Sequence, residues 1–372
     1  MDNYCLDCGL PTEGRHKRCP SCGLDYKRAR DNQRIKDLRA GAKSPVSPPG
    51  FDLDSAIAKV AASLTSLPVP RPEALLVPTA DKDMGFGPQH QVAVFSDYHR
   101  GEVVDPRETG GLGNYNVDVA RERLARWRDG VVRFRQTYRF DVEKLWIPAL
   151  GDEVAGHGQI FPAQAYFLGE HWLEQVMGFV TDMEEVLRFF AQSYPEVQVI
   201  KVIGNHGRTG TKHNERPFRD NIEPILWSWL KDRLRDVPNL NIHIADGFFA
   251  VADILGHSFY FTHGEDVRPY SPYAASGGMN TKLRMNAILG FVINYFVCAH
   301  HHQNFEFEKE IGGRFMVNGS FVGPSMLSVH WLHEANLPSQ LIFAVHPKWG
   351  VTHRTNLVLA QPEEIRQIEV VR

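Results

Sequence analysis

Five short segments of the chain combine carboxylate, imidazole and amide side chains with glycine. They lie at 96–101 (SDYHRG), 151–152 (GD), 204–206 (GNH), 262–264 (THG) and 300–302 (HHH). Apolar runs typical of buried strands precede them, for example VQVIKVI before the GNH segment. Because α/β proteins build their sites from loops at strand ends, we expect the five segments to converge on one rim.

These residue types suit a pair of divalent metal ions bound to a phosphate. Two such ions, held about 3.5–4 Å apart, clamp the phosphate and supply a hydroxide nucleophile. One carboxylate can bridge both ions, imidazoles suit Mn, Fe, Co, Ni and Zn, and the amide of Asn205 adds a ligand without charge. A further histidine that binds no metal can protonate the leaving oxygen. We therefore expect two divalent ions, with Mn favoured over Fe, Ni, Co, Mg or Zn.

The set resembles the motifs of the calcineurin-like metallophosphoesterase superfamily, which read D-x-H, G-D, G-N-H, H and G-H-x-H. The resemblance spans roughly residues 90 to 360. It implies an α/β fold, a four-layer αββα sandwich of two mixed sheets with flanking helices. The S-D-x-H-x-G segment is similar to the nuclease branch, which includes the bacterial SbcD type and phage phosphoesterases. Residues 318–320 (NGS) resemble the turn that often follows the last histidine pair.

The resemblance also implies a role for each matching residue. The first ion would be bound by Asp97, His99, Asp152 and His302. The second would be bound by Asp152, Asn205, His263 and His300. Asp152 would bridge the ions, His206 would be the general acid, and Asp97 and Asp152 would complete the catalytic set. We expect His301 to point away from the ions, because side chains alternate along an extended chain.

Three positions depart from the family pattern. An acidic residue often follows G-N-H and orients its histidine, but this chain has Gly207 there. Another acid must then orient His206, or His206 is held more loosely. Ala299 replaces the glycine of G-H-x-H, and the segment GDEVAG lacks the second acidic residue of the family motif. All the implied metal ligands are nevertheless present, which favours an active enzyme over an inactive relative.

The composition is that of a globular protein. Of 372 residues, 43% are hydrophobic and 23% charged, and the formal net charge is −3. This charge argues against general coating of nucleic acid but not against a nuclease, because carboxylate ligands count as negative until metal binds. The N-terminus has no apolar core typical of a signal peptide, and the longest apolar stretch is too short to span a bilayer. We therefore expect a cytoplasmic protein.

Four cysteines near the N-terminus predict a structural zinc site. They form two C-x-x-C pairs ten residues apart, Cys5 with Cys8 and Cys19 with Cys22. This spacing is typical of a zinc ribbon, in which four thiolates bind one structural Zn. The alternative, two disulfides in an exported protein, is disfavoured by the missing signal peptide. Cys298 lies in an apolar run, where a buried core thiol is expected.

Composition divides the chain into three parts. Residues 1–43 contain ten Lys and Arg against six Asp and Glu, and predict the zinc ribbon followed by a short basic helix. A nucleic-acid grip fits this segment, and so does a solvated charged helix or a docking site for a protein partner. Residues 44–90 are rich in proline and read as a linker, with one helix near 54–67. Residues 91–372 are the predicted metallophosphoesterase catalytic domain.

Periodicity predicts the elements of the catalytic domain. Apolar spacing indicates helices at 116–138 and 172–192, and another is expected at 221–234. The second helix carries a core stripe that includes Phe179, Met183 and Leu187. Beyond residue 239 eight strands are predicted, which suits two packed sheets with helices outside.

Basic side chains near the motifs are candidate substrate contacts. Arg208, Lys212 and Arg216 follow the G-N-H segment, and Arg100 follows His99. Such a run can bind a phosphate backbone, although an ordinary charged loop leading into a helix also fits. Residues 267–286 could cap the cleft, because Gly277 and Gly278 suggest mobility there. The other interpretation is a surface loop leading to a helix.

The sequence therefore predicts a dinuclear-metal-dependent phosphodiesterase without membrane contacts, most simply a DNA nuclease of stand-alone or phage-like type. A metal-bridging hydroxide would attack phosphorus, and His206 would protonate the leaving group. One alternative is a phosphomonoesterase or nucleotide phosphatase with the same metal centre. Another is a zinc-ribbon module that binds nucleic acid or protein on an inactive phosphoesterase platform.

Overall fold

The computed structural model describes residues 87–139, 141–158, 162–210, 220–267, 274–310 and 313–361. The predicted zinc ribbon with its four cysteines, its basic helix and the linker as far as residue 86 lie outside the described residues. So do the candidate substrate contacts Lys212 and Arg216. The first strand begins at Pro88, just before the predicted start of the catalytic domain at residue 91.

The described residues form eleven strands, numbered here in chain order. They are β1 (Pro88–Ala93), β2 (Asp141–Ala149), β3 (Val197–Lys201), β4 (Leu240–Ile244), β5 (Phe249–Ile254), β6 (His257–Thr262), β7 (Tyr295–Cys298), β8 (Phe305–Glu310), β9 (Gly313–Val317), β10 (Ser339–His346) and β11 (Gly350–Val358). The same residues form four α-helices, which are α1 (Val117–Tyr138), α2 (Trp172–Ser193), α3 (Glu223–Arg233) and α4 (Ala274–Leu289).

The strands form two mixed sheets. The first has the order β11-β10-β1-β2-β3-β4, with β1 to β4 parallel and β10 and β11 antiparallel. The second has the order β5-β6-β7-β9-β8, with β6, β7 and β9 parallel and the two outer strands antiparallel. All eight strands predicted beyond residue 239 are therefore confirmed. The parallel core of each sheet brings consecutive strand ends to one edge.

Alternation along the strands produces a four-layer sandwich. In β1 and its extension, Ala93 and Phe95 pack in a cluster shared with α1, α2 and α3, whereas Val92 and Val94 pack between the two sheets. A third cluster, which includes Phe296, lies between the second sheet and α4. The layers are thus helices, sheet, sheet and helix, and the predicted αββα fold is confirmed. Its two inner sheets are buried on both faces, as their apolar sequences require.

The two long helices follow their sequence signals closely. Asn116 caps α1, because its side chain accepts hydrogen bonds from the backbone amides of Asp118 and Val119. The predicted stripe of α2, which includes Phe179, Met183 and Leu187, is buried against the first sheet. None of the helices in the described part of the chain combines the length and apolar character needed to cross a bilayer.

The fourth helix contains Gly277 and Gly278, which fits the interpretation of a segment leading to a helix better than that of a mobile cap. The helix runs through both glycines, from Ala274 to Leu289. A Cβ atom added at Gly278 would lie 2.5 Å from the ring of Phe315 in β9. The glycine therefore lets α4 pack closely on the second sheet rather than giving the segment freedom.

Replacing Gly278 by alanine should destabilise the protein, because the added methyl overlaps the Phe315 ring. Overpacking of this kind costs about 1–3 kcal/mol, which exceeds the ~1 kcal/mol that alanine gains over glycine in a helix. Urea denaturation measures the change in the free energy of unfolding. Gly247→Ala is the control, because a Cβ atom there meets no heavy atom within 4 Å. Equal stability of the two variants would contradict the packing argument.

Candidate metal centre

The predicted ligand loops meet at the carboxyl ends of the parallel strands. The loop after β1 carries Asp97 and His99, the loop after β2 carries Asp152, and the loop after β3 carries Asn205. From the second sheet, β6 is followed by the loop with His263 and β7 by 300–302. The structure brings all seven predicted ligands together, although they come from five loops and both sheets. Two groups made up of these ligands have donor atoms close enough to share a metal ion, and a third group joins His99 and Asp152 to His206.

The first group consists of Asp97, His99 and His302. The Nε2 atoms of the two histidines are 3.2 Å apart, and Asp97 Oδ1 lies 3.3 Å from His302 Nε2 and 3.9 Å from His99 Nε2. Asp97 and His99 are buried, whereas 31% of the His302 side chain is exposed. The group is therefore open to solvent, and to a ligand, on the His302 side.

The second group consists of Asp152, His263 and His300, with Asn205 beside it. Asp152 Oδ2 lies 3.1 Å from His263 Nε2, which in turn lies 3.1 Å from His300 Nδ1. Asn205 Oδ1 is 2.8 Å from the same His263 nitrogen. Four donor atoms from four loops thus surround one point, as the predicted second set requires.

Asp152 joins the two groups. Its Oδ2 atom lies 3.8 Å from His99 Nε2 in the first group as well as 3.1 Å from His263 Nε2 in the second. The same oxygen is 3.9 Å from His206 Nε2, and Asp152 Oδ1 accepts a hydrogen bond from the backbone amide of His206 at 2.8 Å. The arrangement suits the predicted bridging role of this carboxylate.

Several predicted ligands have an unusual backbone. Five of them adopt the left-handed conformation that residues with a Cβ atom normally avoid: Asp97, His99, Asp152, His300 and His302, with φ between 45° and 72°. Such conformations cost free energy and persist where the surrounding structure enforces them, commonly at functional sites. Their concentration at one rim indicates that the loops are shaped to aim these side chains.

Backbone carbonyl groups fix the orientation of two histidines. His263 Nδ1 donates to the carbonyl oxygen of Leu150 at 2.7 Å, which leaves Nε2 free to bind a metal. His206 Nδ1 donates to the carbonyl oxygen of Ala155 at 2.9 Å, so its Nε2 faces the site. This second bond answers the question raised by Gly207: a carbonyl group, rather than a following acid, orients His206.

The N-G-S turn supports Asp97 from below. Ser96 Oγ donates to Asp97 Oδ2 at 2.6 Å and accepts from Asn318 Nδ2 at 2.7 Å. Asn318 Nδ2 also lies 2.7 Å from Gln340 Oε1 of β10, and all of these side chains are buried. Asp97 Oδ2 is therefore hydrogen-bonded to Ser96, while Asp97 Oδ1 faces His99 and His302.

Electrostatic coupling shows how strongly the site attracts positive charge. Burial alone would raise the pKa of Asp97, but contact with His302 outweighs it and lowers the pKa to about 2. Burial disfavours the charged ring of His263, yet the Asp152 carboxylate outweighs burial and raises the pKa to about 10. Burial and the neighbouring His263 together lower the pKa of His300 to about 2. The carboxylates therefore favour a positive charge, either a proton or a dication, at the centre of the site.

The side chains fit two divalent ions. Ligand atoms bound at about 2.0–2.1 Å to one ion lie roughly 3.0–3.4 Å from each other. The distances from His302 Nε2 to His99 and Asp97, and from His263 Nε2 to Asp152 and His300, fall in this range, whereas the 3.9 Å between Asp97 and His99 is longer. Asp97 Oδ1 is buried and lacks a hydrogen-bond partner among the described residues, as expected of an oxygen reserved for a metal. Carboxylate, imidazole and amide donors suit Mn, Fe, Co, Ni or Zn.

Two residues near the ligands are not part of the metal groups. His301 is buried, and burial followed by the charge of His263 lowers its pKa to about 4. It belongs to none of the three groups found among the described residues, in line with the sequence expectation. Cys298 is fully buried in β7, and the prediction of a core thiol is confirmed.

The structure corrects the proposed role of Arg100. Its guanidinium is buried, donates two 2.9 Å hydrogen bonds to Glu170 and also pairs with Asp182. A side chain held by two carboxylates inside the protein is not placed to bind a substrate phosphate. Arg100 instead ties the loop after β1 to the α2 region, and its neighbour His99 is the residue of this segment whose ring faces the candidate site.

Arg208 lies at the rim of the site but is already paired. Its Nη1 donates to Glu265 Oε1 at 2.8 Å, and the second guanidinium nitrogen bonds the other carboxylate oxygen. Glu265 lies two residues after His263, so the pair joins the loops after β3 and β6. Only 13% of the Arg208 side chain is exposed. A phosphate would have to compete with Glu265 for this cation.

Sequence analysis missed a buried charge network behind the ligands. Lys201, Glu153 and Glu223 are fully buried, and Lys201 forms an ion pair with each of the two glutamates. Two of these residues could have been noticed in the sequence. Lys201 interrupts the apolar run of β3, and Glu153 directly follows Asp152. Glu102 was also missed, and its Oε2 lies 3.5 Å from His99 Nδ1, where it can orient that ring.

Comparison with known proteins gives matches among solved structures alone. No protein-family model matches the chain, and no curated protein matches it. Vps29 from Entamoeba histolytica, solved with Zn²⁺, is 13% identical over 72% of this chain and 99% of that chain, with a TM-score of 0.30. A dimetal phosphatase from Danio rerio is 11% identical over 73% of this chain and 99% of that chain, with a TM-score of 0.33. A hypothetical protein from Pyrococcus horikoshii is 12% identical over 74% of this chain and 90% of that chain, with a TM-score of 0.34.

Proposed function

We propose that this protein is a dinuclear-metal-dependent phosphoesterase of the calcineurin-like superfamily. The observation that carries the proposal is the pair of ligand groups joined by Asp152. One carboxylate lies within 3.8 Å of a histidine nitrogen in each group, and all donors face the same rim. When bound there, two divalent ions would neutralise the phosphoryl oxygens and activate water for attack on phosphorus.

The residues of the chain divide this work among them. Asp97, His99 and His302 would hold one ion, and Asn205, His263 and His300 would hold the other, with Asp152 between them. The left-handed loops and the carbonyl bond to His263 fix these donors before substrate arrives, so little reorganisation is needed during the reaction. The open His302 side gives the phosphate a path into the site.

His206 is placed to act on the leaving group. Its Nδ1 atom is committed to the Ala155 carbonyl, so Nε2 is the atom that exchanges a proton with substrate. About 16% of the His206 side chain is exposed, which leaves Nε2 accessible from the rim. In the proposed reaction Nε2–H donates to the departing oxygen as the phosphorus–oxygen bond breaks.

We propose a phosphodiester in DNA as the substrate. The support comes from the sequence: a basic segment at 1–43 with two C-x-x-C pairs and a basic run after the G-N-H motif. In this proposal Cys5, Cys8, Cys19 and Cys22 bind a structural Zn, and the ribbon grips the polymer. Removing residues 1–43 should then weaken DNA binding and reduce its dependence on salt concentration, whereas a ribbon that binds a protein would leave both unchanged.

A second candidate is a phosphomonoesterase or nucleotide phosphatase, and the pairing of two arginines supports it. Arg100 is buried against Glu170, and Arg208 is paired with Glu265, so neither arginine is free to bind the backbone of a polymer. A small substrate whose phosphate charge is neutralised by the metal ions would need no further cations from the protein. Both candidates use the same metal centre, and only the substrate differs.

A substrate panel tests the proposed function. Turnover is measured with Mn, Mg, Zn and Ni on p-nitrophenyl phosphate, its bis-ester, and single- and double-stranded DNA. Cleavage of the bis-ester and of DNA above the monoester rate supports the phosphodiesterase proposal. A preference for the monoester supports the phosphatase. Inactivity on every phosphoester with every ion would leave the third possibility, a binding module on an inactive platform.

The Arg208–Glu265 pair yields a prediction that separates substrate binding from chemistry. If Arg208 binds a substrate phosphate, Arg208→Ala should raise KM for DNA about 5- to 30-fold with little change in kcat, because an interaction common to ground and transition states is lost. Glu265→Gln, which frees the guanidinium, should lower KM. The slope of log KM against log salt concentration should fall by about one in Arg208→Ala. Unchanged KM in both variants would assign the pair to loop anchoring.

A further inference from the structure

We propose that Glu223 is a positioning residue for the metal centre: its buried carboxylate holds the two loops that carry Asp152 and Asn205. This inference rests on the proposed metal centre and adds to it a residue from a distant element. Glu223 is the first residue of α3 and lies outside all five motifs. It is not one of the residues whose donors face a metal in the groups described.

The carboxylate of Glu223 binds one backbone amide in each loop. Its Oε1 accepts from the amide of Asp152 at 2.8 Å, and its Oε2 accepts from the amide of Gly204 at 2.7 Å. Asp152 is the proposed bridging ligand, and Gly204 directly precedes the ligand Asn205. One side chain therefore sets the spacing between the loop that bridges the ions and the loop that completes the second ligand group.

Lys201 supplies the counter-charge that stabilises the buried carboxylate of Glu223. Its ammonium donates to Glu223 Oε2 at 2.8 Å and to Glu153 Oε2 at 2.6 Å, and all three side chains are fully buried. A lone buried charge would be strongly unfavourable, whereas a charge with a counter-ion and saturated hydrogen bonds is not.

The start of α3 holds Glu223 in place. Asn221 Oδ1 accepts from the Glu223 amide at 2.9 Å, and Asn221 Nδ2 donates to the carbonyl oxygen of Gly204 at 2.8 Å. Asn221 and Glu223 thus bind the two polar groups of Gly204 from one rigid helix end. The loop after β3 is fastened to a helix rather than to its own neighbours.

Gly207 fits this arrangement. A Cβ atom added there would lie 2.6 Å from Glu223 Cγ and 2.3 Å from Asn221 Oδ1. The space that a side chain at this position would need is filled by Glu223 of α3 and by Asn221, which precedes that helix. The glycine at 207, where the family often has an acid, therefore has a local cause. Glu223 reaches this loop from α3, and its side chain leaves no room for another side chain at 207.

The proposal predicts an effect on metal binding rather than on chemistry alone. Supporting residues of this type typically change metal affinity by ~10–100-fold. Glu223→Gln retains one acceptor oxygen but presents an NH₂ group to the other amide, so one loop is released. The remaining Lys201–Glu153 pair stays charge-balanced, and the variant should fold. Expected results are a 10- to 100-fold weaker apparent affinity for Mn²⁺ by calorimetry, and loss of the exchange-coupled dinuclear signal in electron paramagnetic resonance.

Glu184→Gln is the matched control. Glu184 is also a buried carboxylate between two cations, Arg188 and Arg233, but it lies on α2 and none of its described contacts involves a ligand loop. Both variants should lose stability, measured as the free energy of unfolding of the metal-free protein. Only Glu223→Gln should lose metal affinity. If it fails to fold, the triple variant Glu153→Gln/Lys201→Met/Glu223→Gln, which leaves no charged side chain in this cluster, is measured in the same way.

The outcomes separate the two proposals. A wild-type chain that binds fewer than two ions refutes the dinuclear centre and with it this inference. A wild-type chain that binds two ions, with Glu223→Gln binding them equally well and giving the same coupled signal, refutes the positioning role alone. Equal losses of affinity in Glu223→Gln and Glu184→Gln also refute it, because general destabilisation would then explain both.

Discussion

Asp152→Ala should abolish hydrolysis and the binding of both metal ions together. Among the described residues of the two groups, Asp152 has a carboxylate oxygen close to histidine nitrogens of both, 3.8 Å from His99 and 3.1 Å from His263. In the proposed centre, its loss would remove a ligand from each ion and leave their mutual repulsion uncompensated. Since a single stabilising donor is commonly worth ~10²–10³ in rate, turnover should fall by at least about 10³-fold.

Metal analysis of the purified variant by mass spectrometry, alongside its turnover, provides the measurement. Asp246→Ala is a suitable control, because Asp246 follows the neighbouring strand β4 but is exposed and belongs to none of the three groups. It should retain two ions and the wild-type rate. Two ions per chain in Asp152→Ala would contradict the bridging role. One ion per chain, with the first group intact, would restrict Asp152 to the second site.

The fold was predictable from the sequence because its signals are local and repeated. Near-continuous apolar runs identify strands buried on both faces, and the stripe that includes Phe179 and Met183 identifies α2. Ligand types at strand ends then indicate which edge of each sheet forms the site. The candidate ligands in 96–101 and 300–302 could be placed from the sequence alone, because they lie within a few residues of the ends of β1 and β7.

The partners of individual charged residues were not predictable in the same way. Arg100 sits beside a ligand in sequence, which suggested a phosphate contact, yet it is buried against Glu170 and Asp182, 70 and 82 residues away. Glu223 lies 71 residues from Asp152, whose amide it binds. Contacts over such separations depend on how layers pack, and no local pattern records them. The left-handed backbone of Asp97 and His99 was not predictable either, because neither residue is a glycine, the residue type that normally signals this conformation.

His206→Ala should reduce turnover on DNA about 10²- to 10⁴-fold while leaving both ions bound. The expectation follows from the hydrogen bond of Nδ1 to the Ala155 carbonyl, which directs Nε2 towards the site, where it lies 3.9 Å from Asp152 Oδ2. A deoxyribose alkoxide leaves poorly without a proton, and the variant cannot supply one. A p-nitrophenolate leaving group needs no proton, so the same substitution should cost less than about 10-fold on the bis-p-nitrophenyl ester.

This dependence on the leaving group distinguishes an acid from a ligand. His206 also belongs to a group with His99 and Asp152 that could hold an ion. If it binds metal, His206→Ala should lower the metal content and slow both substrates equally, since every leaving group depends on the ions. If it donates the proton, metal content stays at two per chain and the loss of turnover grows with the basicity of the leaving oxygen.

The control is His330→Ala, because His330 is exposed and lies outside the three groups. This variant should change neither the metal content nor the turnover. Wild-type turnover of DNA by His206→Ala would remove this residue from the mechanism, and proton transfer would then have to come from another group at the rim.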